Sequence, residues 1–197
     1  ASAKTWSFVE TTDYKLITKL LTDAQENANV FAMTGDAGSG KSKSFDLYIQ
    51  EHKNAYLLSC AEYWNRKEFL VQLLTAMGVD YTGYTVAEMM NEIVKKLKSS
   101  ENPLIILDEA DKLPDTVLYF FITLYNRLED HCGIILCATD HLSKRIQKGI
   151  KLNRKGYKEI NSRIGRKFIE LRGVNATDVA QICMANGVED TKEIKRS

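Results

Sequence analysis

The sequence predicts an α/β fold in which helices cover both faces of a parallel sheet. Continuous apolar runs suited to buried strands alternate with helical patterns, and a glycine-rich motif joins the first strand to a helix. A chain of 197 residues, 44% of them hydrophobic, suits one such domain with a small appendage. No apolar run approaches the length of a membrane span, and we expect no membrane partner.

Apolar periodicity and turn signals divide the chain into alternating elements. The helix predicted at 114–130 is apolar nearly all round, so it is either deeply buried or part of a subunit contact. Residues 150–162 lack a clear period and are predicted to form a loop. The predicted strands are 29–34, 54–60, 103–107, 133–139 and 167–171, and the predicted helices are 13–27, 41–51, 65–78, the segment from 85 past 97, 114–130 and 175–187.

Three residues signal helix starts. Thr85 opens a capping-box pattern, Asn65 opens a weaker one, and Pro114 suits the first helical position. The helix after Thr85 is expected to turn one apolar face to the core, formed by Val86, Met89, Ile93 and Leu97.

The segment Gly35–Ser42, GDAGSGKS, fits the phosphate-binding pattern G-x-x-x-x-G-K-[ST], known as Walker A. Its glycines let backbone N–H groups turn toward phosphate oxygens, and the following helix adds partial positive charge. We expect Lys41 to reach the β- and γ-phosphates of ATP and the Ser42 hydroxyl to ligate Mg²⁺. The predicted nucleotide-binding residues are Gly35, Asp36, Ala37, Gly38, Ser39, Gly40, Lys41, Ser42 and Lys43.

A second motif, spanning 104–109, supports the same site. The apolar run 103–107 is typical of a parallel strand buried on both faces, and it ends in Asp108 and Glu109. This matches the Walker B pattern, in which Asp108 holds a water on Mg²⁺. Glu109 is predicted to orient the attacking water, and the alternative is a solvated surface acid. Because no N-K-x-D guanine motif is present, adenine is the default base.

The cysteines and histidines show no metal-ligand spacing. Three of the four cysteines lie in apolar runs, which indicates core thiols in a reducing cytosol rather than a disulfide framework. We therefore expect a cytoplasmic protein whose metal is Mg²⁺.

Basic residues concentrate near the carboxyl end, although the net charge is only +1. The segment 144–167 carries ten basic residues and one acid, Glu159, and leaves 17 basic and 25 acidic residues elsewhere. Such a block indicates a polyanion partner, and the alternative is a solvated loop. The predicted DNA contacts are Lys144, Arg145, Lys148, Lys151, Arg154, Lys155 and Lys158, with Lys95, Lys96 and Lys98 as further candidates.

The order GDAGSGKS, YLLSCAE, LIILDEADKL, a long apolar helix and NSRIGRKFIEL resembles the AAA+ ATPases of the MuB/TnsC transposition group, most closely MuB-like proteins. The resemblance covers about residues 6–187. It implies an AAA+ core of the P-loop NTPase class at 1–173 and the beginning of a truncated helical lid at 174–197. We expect an excised core that lacks the N-terminal helix-turn-helix of MuB-like proteins and hydrolyses ATP weakly alone.

The resemblance also implies two catalytic positions outside the Walker motifs. AAA+ proteins carry a polar sensor at the end of the strand after Walker B, a position that Thr139 or Asp140 occupies here. Either residue also fits a helix N-cap. The segment from Ser162 resembles an arginine-finger box, in which Arg163, or else Arg166, would stabilise the γ-phosphate of a neighbouring subunit. The alternative is that both arginines only add to the basic surface.

Membership of this group implies an ATP-dependent oligomer or filament that binds double-stranded DNA without sequence preference. It would mark target DNA, activate a transposase and release DNA after hydrolysis to ADP. A helicase loader or replication initiator shares most of these motifs. A nucleotide-binding regulatory module without DNA contact is a further alternative, and a small-molecule P-loop kinase is a weaker one.

Overall fold

A computed structural model describes residues 12–35, 41–165 and 167–170 of the chain. Within these residues each strand except the last is followed by one or two helices, with a single-turn 3-10 helix at Ala110–Lys112 and a π-helical turn at Asn161–Gly165. The elements are α1 Thr12–Asn27, β1 Val30–Thr34, α2 Lys41–Glu51, β2 Ala55–Ser59, α3 Arg66–Ala76, α4 Val86–Ser99, β3 Leu104–Asp108, α5 Asp115–Leu128, β4 Gly133–Ala138, α6 Asp140–Lys151, α7 Tyr157–Ile160 and β5 Phe168–Glu170.

Within the described residues the strands form one parallel sheet in the order β2-β3-β4-β1-β5. Strand β4 therefore lies between β1, which leads into the Walker A loop, and β3, which carries the Walker B acids. Met33 of β1 pairs with Cys137 of β4, and Leu107 of β3 pairs with Leu136. This order brings the ends of β1, β4 and β3 to one edge of the sheet.

The sheet separates two apolar layers, as the sequence predicts. On one face α1 and α2 pack against side chains such as Phe31 and Ile106. On the other face α3, α4, α5 and α6 pack against side chains such as Ile105 and Leu136. Six of the fourteen residues of α5 are buried, and Tyr119, Phe120 and Tyr125 pack partly buried against the same core. The helix is thus largely packed against the core, and the subunit contact stays a prediction.

Most of the predicted helix starts are confirmed. Thr85 and Glu88 form a complete capping box, whereas the Asn65 side chain only accepts from the Glu68 amide. The prediction for Pro114 is wrong by one residue, since its backbone is extended and α5 begins at Asp115. Val86 is also misplaced, since it is 38% exposed at the first position of α4. The helix predicted at 175–187 lies outside the described residues.

The predicted loop at 150–162 is wrong. Helix α6 continues to Lys151, and α7 and the π-helical turn fill most of the remainder. Leu142 and Ile146 lie one helical turn apart and are buried. The helical periodicity of these two apolar residues is hard to recognise in the sequence because charged residues surround them. Gly156 has a φ of 86°, a left-handed conformation that interrupts the helical backbone between α6 and α7.

Gly133 fixes the distance between α1 and the sheet. A Cβ at this position would lie 2.2 Å from the Ala24 carbonyl oxygen. We expect Gly133→Ala to lower the free energy of unfolding by about 3 kcal/mol, because a backbone atom cannot move aside cheaply. Gly78→Ala is the control, since its φ is +69° but nothing lies within 4 Å, and it should cost about 1 kcal/mol. Urea unfolding measures both, and an equal loss in the two variants would contradict this packing.

Candidate functional site

The Walker A and Walker B segments meet at the carboxyl edge of the sheet. Thr34 ends β1 and leads to Gly35, and Asp108 ends β3. The Gly35 amide donates to the Ala138 carbonyl oxygen at 3.3 Å, which ties the start of the loop to β4. Residues 36–40 lie outside the described residues, so the nucleotide contacts of Asp36, Ala37, Gly38, Ser39 and Gly40 stay predictions.

Lys41 begins α2 and is 8% exposed. Its ammonium group lies over the start of the loop, since a Cβ on Gly35 would be 2.8 Å from Lys41 Nζ. The Cys137 thiol interacts with both the Lys41 ammonium and the Asp108 carboxylate, so the two charges lie close together. A buried cation at the start of the helix that follows the phosphate-binding pattern is suited to an anionic ligand. Lys43, by contrast, is exposed on the first turn of α2.

Ser42 and Asp108 join the two motifs directly. The Ser42 hydroxyl donates to Asp108 Oδ2 at 2.6 Å, and the Glu109 amide donates to Asp108 Oδ1 at 2.9 Å. Asp108 is 6% exposed, so both of its carboxylate oxygens are fixed in a largely dry position. A hydroxyl and a carboxylate placed side by side are hard oxygen donors, and they fit the first or second coordination sphere of Mg²⁺.

Cys137 lies under this pair of motifs and was not predicted as a site residue. Burial raises the pKa of its thiol to about 12. The β3–β4 register continues from the pairing of Leu107 with Leu136, which puts Cys137 beside Asp108. The available signal was its position two residues before Thr139 on a buried strand, because alternate residues share one face of a sheet.

Glu109 follows Asp108 in a left-handed backbone conformation, with φ of 54° and ψ of 42°. This region costs a residue with a Cβ about 1–2 kcal/mol, and such strain is concentrated at functional sites. The Glu109 carboxylate is half exposed and pairs with Lys112 Nζ at 3.1 Å. The hydrogen bond from Lys112 to Glu109 raises the pKa of Lys112 above its ordinary value.

Thr139 and Asp140, the two predicted sensors, differ in their surroundings. Thr139 is the N-cap of α6, and its hydroxyl donates to Asp111 Oδ2 at 3.0 Å. Asp140 is exposed and pairs with Lys144 at 2.8 Å, which lowers the pKa of the carboxyl group. The N-cap alternative therefore holds for Thr139, and a sensor role for either residue stays a prediction. Both residues line an open cavity of about 500 Å³ together with Thr34, Gly35, Ser143, Phe168 and Glu170.

Arg163 lies in the π-helical turn before β5. Its Nη1 atom is 3.2 Å from Oε1 of Glu129, at the end of α5, and the Arg163 side chain is 35% exposed. Arg166, the second finger candidate, lies outside the described residues. The finger role stays a prediction for both.

Most of the predicted DNA-contacting residues lie on one continuous stretch of chain. We use the name basic segment for its exposed cations Lys148, Lys151, Arg154, Lys155 and Lys158. A second open cavity of about 280 Å³ is lined by three of them together with Tyr119 and Asn153.

Three other side chains that were predicted to contact DNA bond to atoms of the protein itself. The Arg145 guanidinium is only partly exposed and donates to the Asp111 carbonyl oxygen at 3.0 Å, and its predicted DNA contact stays a prediction. Lys144 is paired with Asp140, and Lys96 Nζ donates to the Met77 carbonyl oxygen. Lys95 and Lys98 are exposed on α4.

The described residues show neither a multi-ligand metal site nor a membrane-spanning helix. No group of three or more His, Cys, Asp or Glu side chains is arranged to hold a metal ion among these residues. In the same part of the chain, no helix combines the length and apolar character that crossing a membrane needs. The predicted free, buried thiols are confirmed for Cys60, Cys132 and Cys137.

Comparisons with known proteins agree with this architecture. The family model described as "AAA domain" matches residues 24–146, which is more than half of the chain. The fold resembles the crystal structure of Cdc6p from Pyrobaculum aerophilum with a TM-score of 0.56, at 17% identity, over 80% of this chain and 44% of that one. The predicted P-loop NTPase fold is thus confirmed.

A curated relative supports the resemblance drawn from the motifs. The chain is 26% identical over 188 residues to the "Mu-like prophage FluMu DNA transposition protein B" of Haemophilus influenzae. The match covers 95% of this chain and 64% of the relative. The predicted similarity to MuB-like proteins is confirmed by this match, and the proposed domain division at 173 stays a prediction.

Proposed function

The chain belongs to the AAA domain family, and we propose that it is an ATPase that binds double-stranded DNA without sequence preference, as an ATP-dependent oligomer acting in DNA transposition. The observation that carries the ATPase proposal is the meeting of Lys41, Ser42 and Asp108 at the sheet edge. Its transposition role rests on the similarity to a DNA transposition protein.

In this proposal the nucleotide phosphates lie over Gly35 and the start of α2. Lys41 neutralises the β- and γ-phosphates, and the backbone amides at the helix start donate to them. Ser42 and Asp108 hold Mg²⁺, which when bound offsets phosphate charge. The hydrogen bond between these two side chains supports this role, because it already positions both oxygens within 2.6 Å of each other.

Hydrolysis is assigned to Glu109. Its carboxylate would orient and polarise a water for attack on the γ-phosphate, with Thr139 or Asp140 sensing that phosphate. In the present arrangement Glu109 pairs with Lys112. Since both side chains are about half exposed, solvent screens this pair and a water can replace it at little cost.

Assembly and DNA binding would use separate surfaces. Arg163 would leave Glu129 to reach the γ-phosphate of a neighbouring subunit, which makes hydrolysis depend on oligomerisation. The basic segment would contact DNA phosphates and not base edges, because no reading helix rich in aromatic or amide groups accompanies the charge. The DNA-bound oligomer would then be the surface that a transposase recognises.

Changing the site residues separates binding from hydrolysis. Lys41→Ala should weaken ATP binding about 100-fold or more, because the phosphates lose a buried cation. Glu109→Gln should retain ATP affinity and slow hydrolysis by about 10²–10⁴-fold, because it keeps the shape and loses the water-polarising carboxylate. Titration with a fluorescent ATP analogue and phosphate release measure the two effects. Lys53→Ala, an exposed lysine on the same layer, is the control, and unchanged ATP affinity in Lys41→Ala would refute the site.

Arg163→Ala tests hydrolysis in trans. We expect the ATPase rate per subunit of the unchanged protein to rise with concentration, and the variant to lose that rise while ATP affinity stays the same. A finger of this type contributes about 10³–10⁵-fold at saturation. Arg127→Ala removes an exposed arginine that bonds Asn91 and should behave like the unchanged protein. An ATPase rate per subunit that is independent of protein concentration in the unchanged protein and in both variants would show that Arg163 is only a surface charge.

Replacing the basic segment tests the DNA surface. A single Lys155→Ala change should weaken binding about equally for every duplex sequence and reduce the log–log salt slope by about one unit. Replacing Lys151, Arg154, Lys155 and Lys158 together should reduce it by up to about four units. A matched set of exposed lysines elsewhere, Lys15, Lys19, Lys53 and Lys67, is the control. Fluorescence anisotropy on a random duplex measures the DNA affinity and the salt slope. Equal effects of the two sets of substitutions would show that the basic segment is not the DNA-binding surface.

A further inference from the structure

A chain of polar side chains connects the nucleotide site with the basic segment. At one end, the Thr139 hydroxyl donates to the Asp111 carboxylate at 3.0 Å. Asp111 lies in the single turn that directly follows Asp108 and Glu109. Its backbone carbonyl accepts from Arg145 Nη1 at 3.0 Å. The end of β4, the turn after Walker B and helix α6 therefore converge on one aspartate.

The other end of the chain reaches α7. Arg145 Nε lies 3.6 Å from Asp115 Oδ1, and the Tyr157 hydroxyl donates to the same oxygen. Tyr157 is fully buried, and its ring lies directly against Gly149, where a Cβ would come within 2.3 Å of it. Tyr157 thus anchors the part of the basic segment that surrounds it, from Arg154 to Lys158.

Arg145, at the centre, has unused hydrogen-bonding capacity. Its Nε and Nη2 atoms are buried and make no hydrogen bond within 3.5 Å among the described residues, although Nε is ion-paired with Asp115 at 3.6 Å. Buried N–H donors without a hydrogen bond favour any arrangement that brings an acceptor closer. A guanidinium that bonds one neighbour through Nη1 and only approaches another through Nε is suited to two arrangements, which differ in how closely it holds Asp115.

We propose that Arg145 is a positioning residue that couples occupancy of the nucleotide site to the placement of the basic segment. A γ-phosphate or its attacking water would compete with Asp111 for the Thr139 hydroxyl and so affect the turn that contains Asp111. Arg145 would follow the Asp111 carbonyl and change its contact with Asp115 and Tyr157. The inference rests on the proposed function, because it requires DNA binding through the basic segment and ATP binding at Lys41.

The test compares DNA affinity with and without a non-hydrolysable ATP analogue in the full chain at one protein concentration. The variants are Arg145→Gln and Tyr157→Phe, and the second keeps the ring on Gly149 while it removes only the hydroxyl. Arg127→Gln is the control, because it removes an arginine charge outside this chain of contacts. Thermal unfolding of each variant establishes that it is folded.

For the unchanged protein we expect the analogue to raise DNA affinity by a factor in the range of about 5–150, typical of coupled sites. In both variants this factor should fall at least about fivefold, while ATP affinity without DNA changes less than about threefold. Because coupling is reciprocal, the effect of DNA on ATP affinity should fall by the same factor. Such a matched loss is a readout that a merely structural role of Arg145 would not produce.

Two outcomes would overturn the inference. One is a full ATP effect in both folded variants, and the other is an equal loss of the effect in Arg127→Gln. If the unchanged protein binds no DNA, or binds it with the same affinity with and without the analogue, the failure lies in the proposed function itself. The proposed coupling through Arg145 would then be refuted as well, because it requires ATP-dependent DNA binding.

Discussion

The hydrogen bond between Ser42 and Asp108 is the contact on which the arrangement of the site depends. It joins the first turn of α2 to the end of β3 across β4, the strand that separates the two motifs. Because Asp108 also accepts from the Glu109 amide, the same carboxylate fixes the left-handed turn that follows it. The Lys41 ammonium and the Asp108 carboxylate both act on the Cys137 thiol, so a buried cation and a buried carboxylate lie near one another at this edge of the sheet.

The sequence predicted the elements that bury continuous apolar runs or carry strong end signals. Strand β3 and the capping box of Thr85 are of this kind, because their determinants lie within a few residues of one another. The strand order was not predicted, since it depends on which edges meet in three dimensions. Helix α6 was missed for a different reason: only Leu142, Ile146 and Gly149 are buried among its twelve residues, too few to outweigh the charge pattern.

The same limit applies to the site residues. Asp108 and Lys41 could be predicted because their chemistry is encoded in a short motif with fixed spacing. Arg145 was counted among the DNA contacts because net charge along the chain does not reveal where a side chain points. Its partly buried position depends on Asp111 and Asp115, which come from the turn and the helix after β3 and lie about 30 residues away in sequence. A basic block is therefore better regarded as a set of individual residues, each with its own competing partners.

The partners of the remaining charges are weak enough to be exchanged. Arg163 with Glu129 and Glu109 with Lys112 are partly exposed pairs, and solvent screening leaves such pairs with little net stabilisation. A triphosphate from a neighbouring subunit, desolvated on approach, offers an arginine a much stronger bidentate partner. In the proposed assembly, the two surface pairs would therefore present little barrier to the approach of a second subunit. Under the proposed function, the catalytic geometry would therefore be completed by assembly of subunits rather than by folding of one chain.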